Sequence, residues 1–307
     1  MFKHLASSVV LCASISSALV ISIPDPANAL TGEEINDIAR ETTVLINSSS
    51  PGSGVIIARN GSVHYVLTAH HVVNTNETYF VKTSDKEEYE ARNIIQLQGI
   101  DLAVVEFESG QKSYPTVTIA TTNHVQEGQT VFVSGWPNPG SSIQTRIRQF
   151  TTGEISGLPE EPLHHGYQLV YTNVTRVGMS GGPVFDTSGR LIGIHGLAEG
   201  ADTGEIAGSE PIIQSGNDDL VSTALSVGFN IGIPSNTFLS NAQSNNLYLG
   251  LDVEDSPPES LGAPYVPNEE VDPRDRIENI NETIDLVGEG VEGVEDITDG
   301  IRNIFGF

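Results

Sequence analysis

The sequence predicts an all-β body, and three observations carry that reading. Between Thr42 and Asn246 it contains ten short runs rich in β-branched and aromatic residues, each cut by Gly, Pro, Asn or Asp. No helical pattern alternates with these runs, which excludes a parallel α/β sheet. One helix is predicted, over 233–245, where Pro234-Ser235 provides a start signal. Strands at this density form an antiparallel barrel or a sandwich, with any chemistry carried on the loops between them.

Residues 1–29 read as an export signal. Lys3 and His4 precede an apolar, small-residue stretch from Leu5 to Ile23, and Ala27-Asn28-Ala29 has the small-x-small pattern of a cleavage site. The stretch is short and serine-rich for a membrane span, so an exported chain beginning near Leu30 is expected, with no stable membrane insertion after the signal is removed. The only cysteine, Cys12, lies within this signal. The mature chain is therefore expected to have neither disulfide nor thiol, and any nucleophile must be a hydroxyl. The formal charge, 14 − 40 = −26, argues against nucleic acid and anionic membrane as partners.

The strands then follow in order: "TTVLIN", "GVIIA", "HYVLT", "TYFVKT" and "DLAVVEF" in the first half, and "TVFVSGW", "YQLVYT", "GPVFD", "RLIGIHG" and "VGFNIGI" in the second. Trp136 marks a strand-to-turn corner. The pair His164-His165 lies in a loop and lacks a third ligand at metal spacing, so it reads as exposed and not as a zinc site. Residues 198–225 form a long acidic loop before the last strand, read as an insertion. Segment 252–307 holds 16 acidic and 3 basic residues and so carries −13 of the charge. Its first part, 252–276, reads as a Pro-rich, extended and mobile linker. In 277–307, Ile277, Ile280, Ile284, Val287, Val291 and Val294 recur three and four apart. Gly288, Gly290, Gly293 and Gly300 weaken that helix, leaving disorder or a transient amphipathic helix that contacts a partner or a second copy.

Three segments bear candidate chemistry. In "TRVGMSGGPVFD", 175–186, Ser180 stands among glycines ahead of an apolar strand, either a turn residue or a nucleophile. In "YVLTAHHVVN", 65–74, His71 follows a strand, and in "GIDLAVVEF", 99–107, Asp101 opens one. A histidine that takes the serine proton and a carboxylate that holds the ring in the right tautomer are what acyl transfer to a hydroxyl requires. The all-β pattern excludes the strand-turn-helix elbow on which α/β-hydrolases mount their serine.

"LTAHHVV", "DLAVV" and "GMSGGPVFD" together resemble the signature segments of chymotrypsin-like serine proteases, in the disulfide-poor bacterial branch near Deg-type proteases and glutamyl endopeptidases. The resemblance spans roughly residues 36–240. It implies two six-stranded antiparallel barrels, at about 36–125 and 126–240, within a protease domain of 30–251, followed by a short C-terminal helix and a largely disordered acidic tail. It implies His71 as base, Asp101 as its orienting carboxylate, Ser180 as nucleophile, and the backbone N–H groups of Gly178 and Ser180 as the oxyanion hole. It implies protein or peptide substrates and neither a metal nor an organic cofactor. Met179 departs from the aspartate of the digestive enzymes, no Ile-Val-Gly-Gly start is present, and His70 replaces a small residue. The residues after Leu251 are too few for the complete peptide-binding module usual in Deg-type enzymes.

The same resemblance suggests a substrate pocket from Val174, Thr175 and His195. Val174 in place of a pocket aspartate disfavours a Lys or Arg preference. His195 and Thr175 stand at the offsets where glutamyl endopeptidases bind an acidic side chain, and both can donate hydrogen bonds to a carboxylate. A neutral pocket with His195 as a satisfied strand residue is the alternative, and the chain's own negative charge would repel acidic substrates at long range. Three readings stay open: a protease preferring an acidic residue before the cut, a Deg-like protease of broad apolar preference, and a catalytically silent protease-fold binding protein.

Overall fold

A computed structural model describes residues 30–141, 143–197, 229–245 and 247–262 of the chain. The proposed signal at 1–29, the acidic loop at 198–225, the linker residues 263–276 and the tail at 277–307 lie outside the described residues.

The body opens with a helix that the strand-based reading missed. Helix α1 (Gly32–Thr42) starts at a reciprocal cap: the Thr31 hydroxyl accepts from the Glu34 N–H, and the Glu34 carboxylate accepts from the Thr31 N–H at 2.8 Å. The Thr31-x-x-Glu34 spacing was the available signal. Ile35 and Ala39 bury one face of the helix.

Six strands then close a barrel: β1 (Thr43–Asn47), β2 (Gly52–Asn60), β3 (Val63–Ala69), β4 (Phe80–Lys82), β5 (Glu88–Leu97) and β6 (Leu102–Glu108). Their spatial order is β1-β2-β3-β6-β5-β4, and an antiparallel β1–β4 pairing completes the ring. A second ring contains β8 (Thr130–Gly135), β9 (Gln149–Gly157), β10 (Leu169–Tyr171), β11 (Pro183–Phe185), β12 (Leu191–Leu197) and β13 (Asn230–Pro234). The order is β11-β8-β9-β10-β13-β12, closed by the β11–β12 pairing. Helix α2 (Ser235–Ser244) follows at the position expected from Pro234-Ser235. Two closed six-stranded antiparallel barrels are therefore the architecture.

The burial pattern explains why several strands read as unbroken apolar runs. In β2, Ile56 fills the first barrel while its neighbours Val55 and Ile57 face outward into a shared core. In β6, Ala103 and Val105 point inward and Val104 outward, by the two-residue alternation of a strand. The outer face meets Phe132, Phe185, Ile194 and Ile231 of the second ring, so strands between the barrels bury both faces. Strand β5 has the opposite character: its residues are exposed or half-buried until Leu97. Its polar sequence, "EYEARNIIQL", carried no strand signal for that reason.

Residues 252–262 depart from the expected linker. Strand β14 (Val253–Glu254) pairs in parallel with β7 (Ile119–Ala120), which itself lies beside β12. The Ile119 N–H donates to the Asp252 carbonyl at 2.8 Å, and the Thr130 N–H to the Leu261 carbonyl at 2.9 Å. Arg190, buried against Asp186 at 2.7 Å, reaches the Glu254 carboxylate at 3.0 Å and the Ser256 hydroxyl at 2.9 Å. Prolines without N–H groups are compatible with this docking because the body supplies the donors. The compact unit consequently extends to Gly262, beyond the boundary at 251 suggested by composition.

Ending the chain after Leu251 is expected to lower unfolding stability by about 1–3 kcal/mol, because the buried Arg190 loses partners and β7 loses its neighbour. Ending it after Gly262 should leave the urea midpoint within error of the full chain. Equal midpoints for the two truncations would contradict the docked segment.

Candidate active site

Strand register brings two of the candidate residues together. Ala69 pairs with Leu102 across β3 and β6, so the residues just outside that pair meet at the same rim. A 3-10 turn, His70–Val72, ends β3 and is closed by the Val73 N–H donating to the His70 carbonyl at 2.9 Å. His71 Nδ1 lies 2.6 Å from Asp101 Oδ2, and its backbone N–H donates to Asp101 Oδ1 at 2.9 Å. His70 uses its N–H to hold the Asp101 carbonyl, at 3.1 Å. Asp101 is 7% exposed. Burial raises the cost of its charge, but His71 and the hydrogen bonds outweigh that cost and hold the carboxyl below its ordinary pKa.

The Ser180 loop belongs to the second ring but is fastened by the first. Ser53 of β2, fully buried, donates its N–H to the Ser180 carbonyl and its hydroxyl to the Gly178 carbonyl, both at 2.8 Å. The same hydroxyl accepts from the Trp136 N–H at 2.8 Å. The Asn138 N–H holds the Val177 carbonyl at 2.8 Å. Gly178 has φ +96°, and a Cβ there would sit 2.8 Å from both Asn138 N and the Trp136 carbonyl, so glycine is required. Met179 donates its N–H to Arg176 at 3.0 Å, whereas the N–H groups of Gly178 and Ser180 have no partner among the described residues. The Ser180 hydroxyl donates to the Gly196 carbonyl at 2.9 Å and is thus not engaged with His71 here. Met179, fully buried in the core of the second ring, fills with packing the position where the digestive enzymes have an aspartate.

The suggested pocket residues separate into two sets. His195, on β12, is fully buried, with Nδ1 2.6 Å from the Tyr171 hydroxyl and Nε2 buried without a partner. Burial pushes its pKa down to about 3, with a smaller contribution from His71. Thr175 is buried and donates to Asn230 Oδ1 on β13. His195 pairs with Gly232 of the same strand, so β13 links the two without a direct contact. Val174 is 70% exposed and does not occupy a buried wall, because the chain turns its neighbours Asn173 and Thr175 inward instead.

Sequence reasoning missed Tyr167 and Ser53. Tyr167 is fully buried and donates to Asp101 Oδ2 at 2.6 Å. Nothing in the local pattern of "HHGYQ" distinguishes it from a core tyrosine. The His164-His165 pair, read as exposed loop, also contacts the site: the His165 carbonyl accepts the Asp101 N–H at 3.0 Å.

The family model described as the trypsin-like peptidase domain matches residues 52–194. Residues 52–194 are therefore similar to trypsin-like peptidases. The chain is 30% identical over 145 residues to a protein of Brucella suis named "Probable periplasmic serine endoprotease DegP-like", covering 47% of this chain and 27% of that protein. A protein of the same name from Pseudomonas savastanoi is 28% identical over 171 residues, covering 55% and 32% respectively. The chain therefore spans about a quarter to a third of the length of these curated relatives. The crystal structure of the serine endoprotease from Yersinia pestis shares the peptidase fold with a TM-score of 0.51 and 22% identity, covering 72% of this chain and 68% of that one. The likeness to the Yersinia pestis structure is one of fold, and the likeness to the DegP-like proteins is one of sequence over about half of this chain.

Buried as a neutral ring, His195 makes the stability of the fold depend on pH. Its folded pKa lies near 3 against 6.5 unfolded, so the unfolded chain binds a proton in that interval and the folded chain does not. The associated stability is complete above pH 6.5 and declines as pH falls toward 3, by up to about 1.4 kcal/mol per pH unit. Asp101, with its depressed pKa, adds a loss of the same sign at the acidic end. Urea unfolding between about pH 4 and 6 should show stability rising with pH, and His195→Gln should remove up to about 1.4 kcal/mol per unit of that slope. An unchanged slope in the variant would contradict burial of a neutral imidazole.

Proposed function

We propose that the chain is an exported serine endopeptidase that cleaves peptide bonds through an acyl-enzyme. Ser180 attacks the scissile carbonyl, His71 takes and returns the proton, Asp101 orients His71, and the N–H groups of Gly178 and Ser180 receive the oxyanion. The observation that carries the proposal is the pair of unpartnered N–H groups on either side of Met179, in a loop whose carbonyls are fixed by Ser53 and Asn138. Donors fixed before the charge develops require no reorganisation in the transition state, and each is worth about 3 kcal/mol. The resting hydroxyl must leave the Gly196 carbonyl and turn to His71 Nε2, a rotation about its own Cα–Cβ bond. Export rests on residues 1–29 and on the periplasmic naming of the relatives.

A fluorophosphonate probe is expected to label the folded protein at Ser180, with label abolished by Ser180→Ala. Asp101→Asn should lower kcat by roughly 10,000-fold while leaving the fold intact. A protein that is folded and remains unlabelled would be the silent binding module instead.

The finer reading is a preference for an acidic residue before the cut. It is supported by His195 Nε2, a buried polar atom with no partner beside the nucleophile loop, to which His195 lends its carbonyl for the Gly181 N–H at 2.7 Å. Burial keeps the Tyr171 hydroxyl protonated, its pKa well above the ordinary value. Donating to Nδ1, it leaves Nε2–H as a donor suited to a carboxylate. Peptide-library cleavage should favour Glu over Gln before the cut by about tenfold or more, the value of one charge-assisted hydrogen bond. His195→Ala should abolish that ratio. Equal rates for Glu, Gln and Leu would instead favour the broad apolar preference.

A further inference from the structure

We propose that Tyr167 is a positioning residue that fixes the Asp101–His71 pair from the opposite barrel. The inference rests on the protease reading of those two residues and adds a fourth member to the arrangement. The Asp101 carboxylate has three donors: the His71 N–H on Oδ1, His71 Nδ1 on Oδ2, and the Tyr167 hydroxyl on Oδ2 at 2.6 Å. Two of these come from His71 itself. Tyr167 is the donor of this set that ties the carboxylate to something other than the base it must orient.

The chain is shaped to deliver that hydroxyl. His165 adopts φ +58°, uncommon for a residue with a side chain, and Gly166 follows with φ +87°. This left-handed pair turns the His165 carbonyl to the Asp101 N–H at 3.0 Å and carries Tyr167 into the interface. A Cβ on Gly166 would come within 3.0 Å of Ile100. Gly196 completes the seat: a Cβ there would lie 2.1 Å from the Tyr167 hydroxyl, so the ring occupies the space a side chain would need. The Gly196 carbonyl in turn receives the resting Ser180 hydroxyl. One buried ring thus touches the carboxylate on one barrel and the strand that parks the nucleophile on the other.

The chemical consequence concerns tautomer and orientation. A donor on Oδ2 restrains rotation of the carboxylate and disfavours its protonation, so His71 keeps its proton on Nδ1 and its lone pair on Nε2, as a general base requires. The tyrosine itself remains a donor, because burial and the Asp101 charge hold its pKa well above the ordinary value.

The test compares the full chain with its Tyr167→Phe variant, which keeps the ring and removes only the hydroxyl. Two readouts are taken: kcat/KM on a cleaved peptide, and the proton NMR resonance of the His71 Nδ1–H. The variant is expected to lose roughly ten- to a hundred-fold in kcat with KM within about twofold, the range of a charge-assisted hydrogen bond lost at a positioning site. Its Nδ1–H resonance is expected to be displaced by more than a linewidth. An unmoved resonance overturns the proposal even if the rate falls, since a merely structural effect would slow the reaction without altering the His71–Asp101 hydrogen bond. Should Tyr167→Phe not fold, 3-fluorotyrosine placed at position 167 preserves the ring and strengthens the donor, and must still displace the resonance. Absence of fluorophosphonate label on the parent protein would overturn the protease reading alone, because the resonance reports on Tyr167 without turnover.

Discussion

The site depends on Ser53, the point where the first barrel reaches into the second. Its N–H, hydroxyl and carbonyl are all committed: to the Ser180 carbonyl, to the Gly178 carbonyl and Trp136 N–H, and to the Thr68 hydroxyl at 2.6 Å. Loops that carry chemistry are ordinarily the mobile part of a scaffold. Here the Ser180 loop is fixed through a fully buried residue, where leaving a donor or acceptor unpaired costs about 1–3 kcal/mol. The approach is close enough to dictate sequence. A Cβ on Gly181, whose φ is +83°, would lie 2.2 Å from the Ser53 carbonyl, which explains the glycine immediately after Ser180.

Two tyrosines organise the two histidines of the site in different ways. Tyr167 precedes β10 and bonds the carboxylate that holds His71, while Tyr171 ends β10 and bonds the ring of His195. Tyr167, ahead of the strand, packs in the core shared by the two barrels, whereas Tyr171 packs inside the second ring. The outcome at each imidazole differs because the surroundings differ. His71 faces a buried carboxylate, and His195 faces a neutral hydroxyl in a fully buried setting where its charged form is suppressed. His71 thus has a carboxylate partner, while burial keeps the His195 ring neutral.

What the sequence disclosed, and what it withheld, follows from how local each signal was. His71, Asp101 and Ser180 each sit beside an apolar strand, and their spacing resembled known signatures, so they were legible. The strands between the barrels were legible because both faces are apolar. Strand β5 was not, since its stability comes from pairing with β4 and β6 and not from its own composition. Helix α1 was overlooked although Thr31 and Glu34 announce it, because strand-like residues follow at once. The docking of 252–262 depends on Arg190, remote in the chain, and composition alone made that segment a linker. Val174 was assigned by its offset from Ser180, but offset does not report which way a loop side chain turns, and it points to solvent. Tyr167 and Ser53 act through tertiary contacts that no local pattern encodes.

In the proposed reaction the N–H groups of Gly178 and Ser180, held by Ser53 and its neighbours, receive the developing negative charge. The most direct measurement is a crystal structure of the protein after reaction with a fluorophosphonate. A phosphonyl group is expected on Ser180 Oγ, its oxygen about 2.7–3.1 Å from both N–H groups, with the Ser53 hydroxyl still on the Gly178 carbonyl. An adduct whose phosphonyl oxygen points to solvent, with the Gly178 N–H turned away from it, would rule out these two N–H groups as the oxyanion hole.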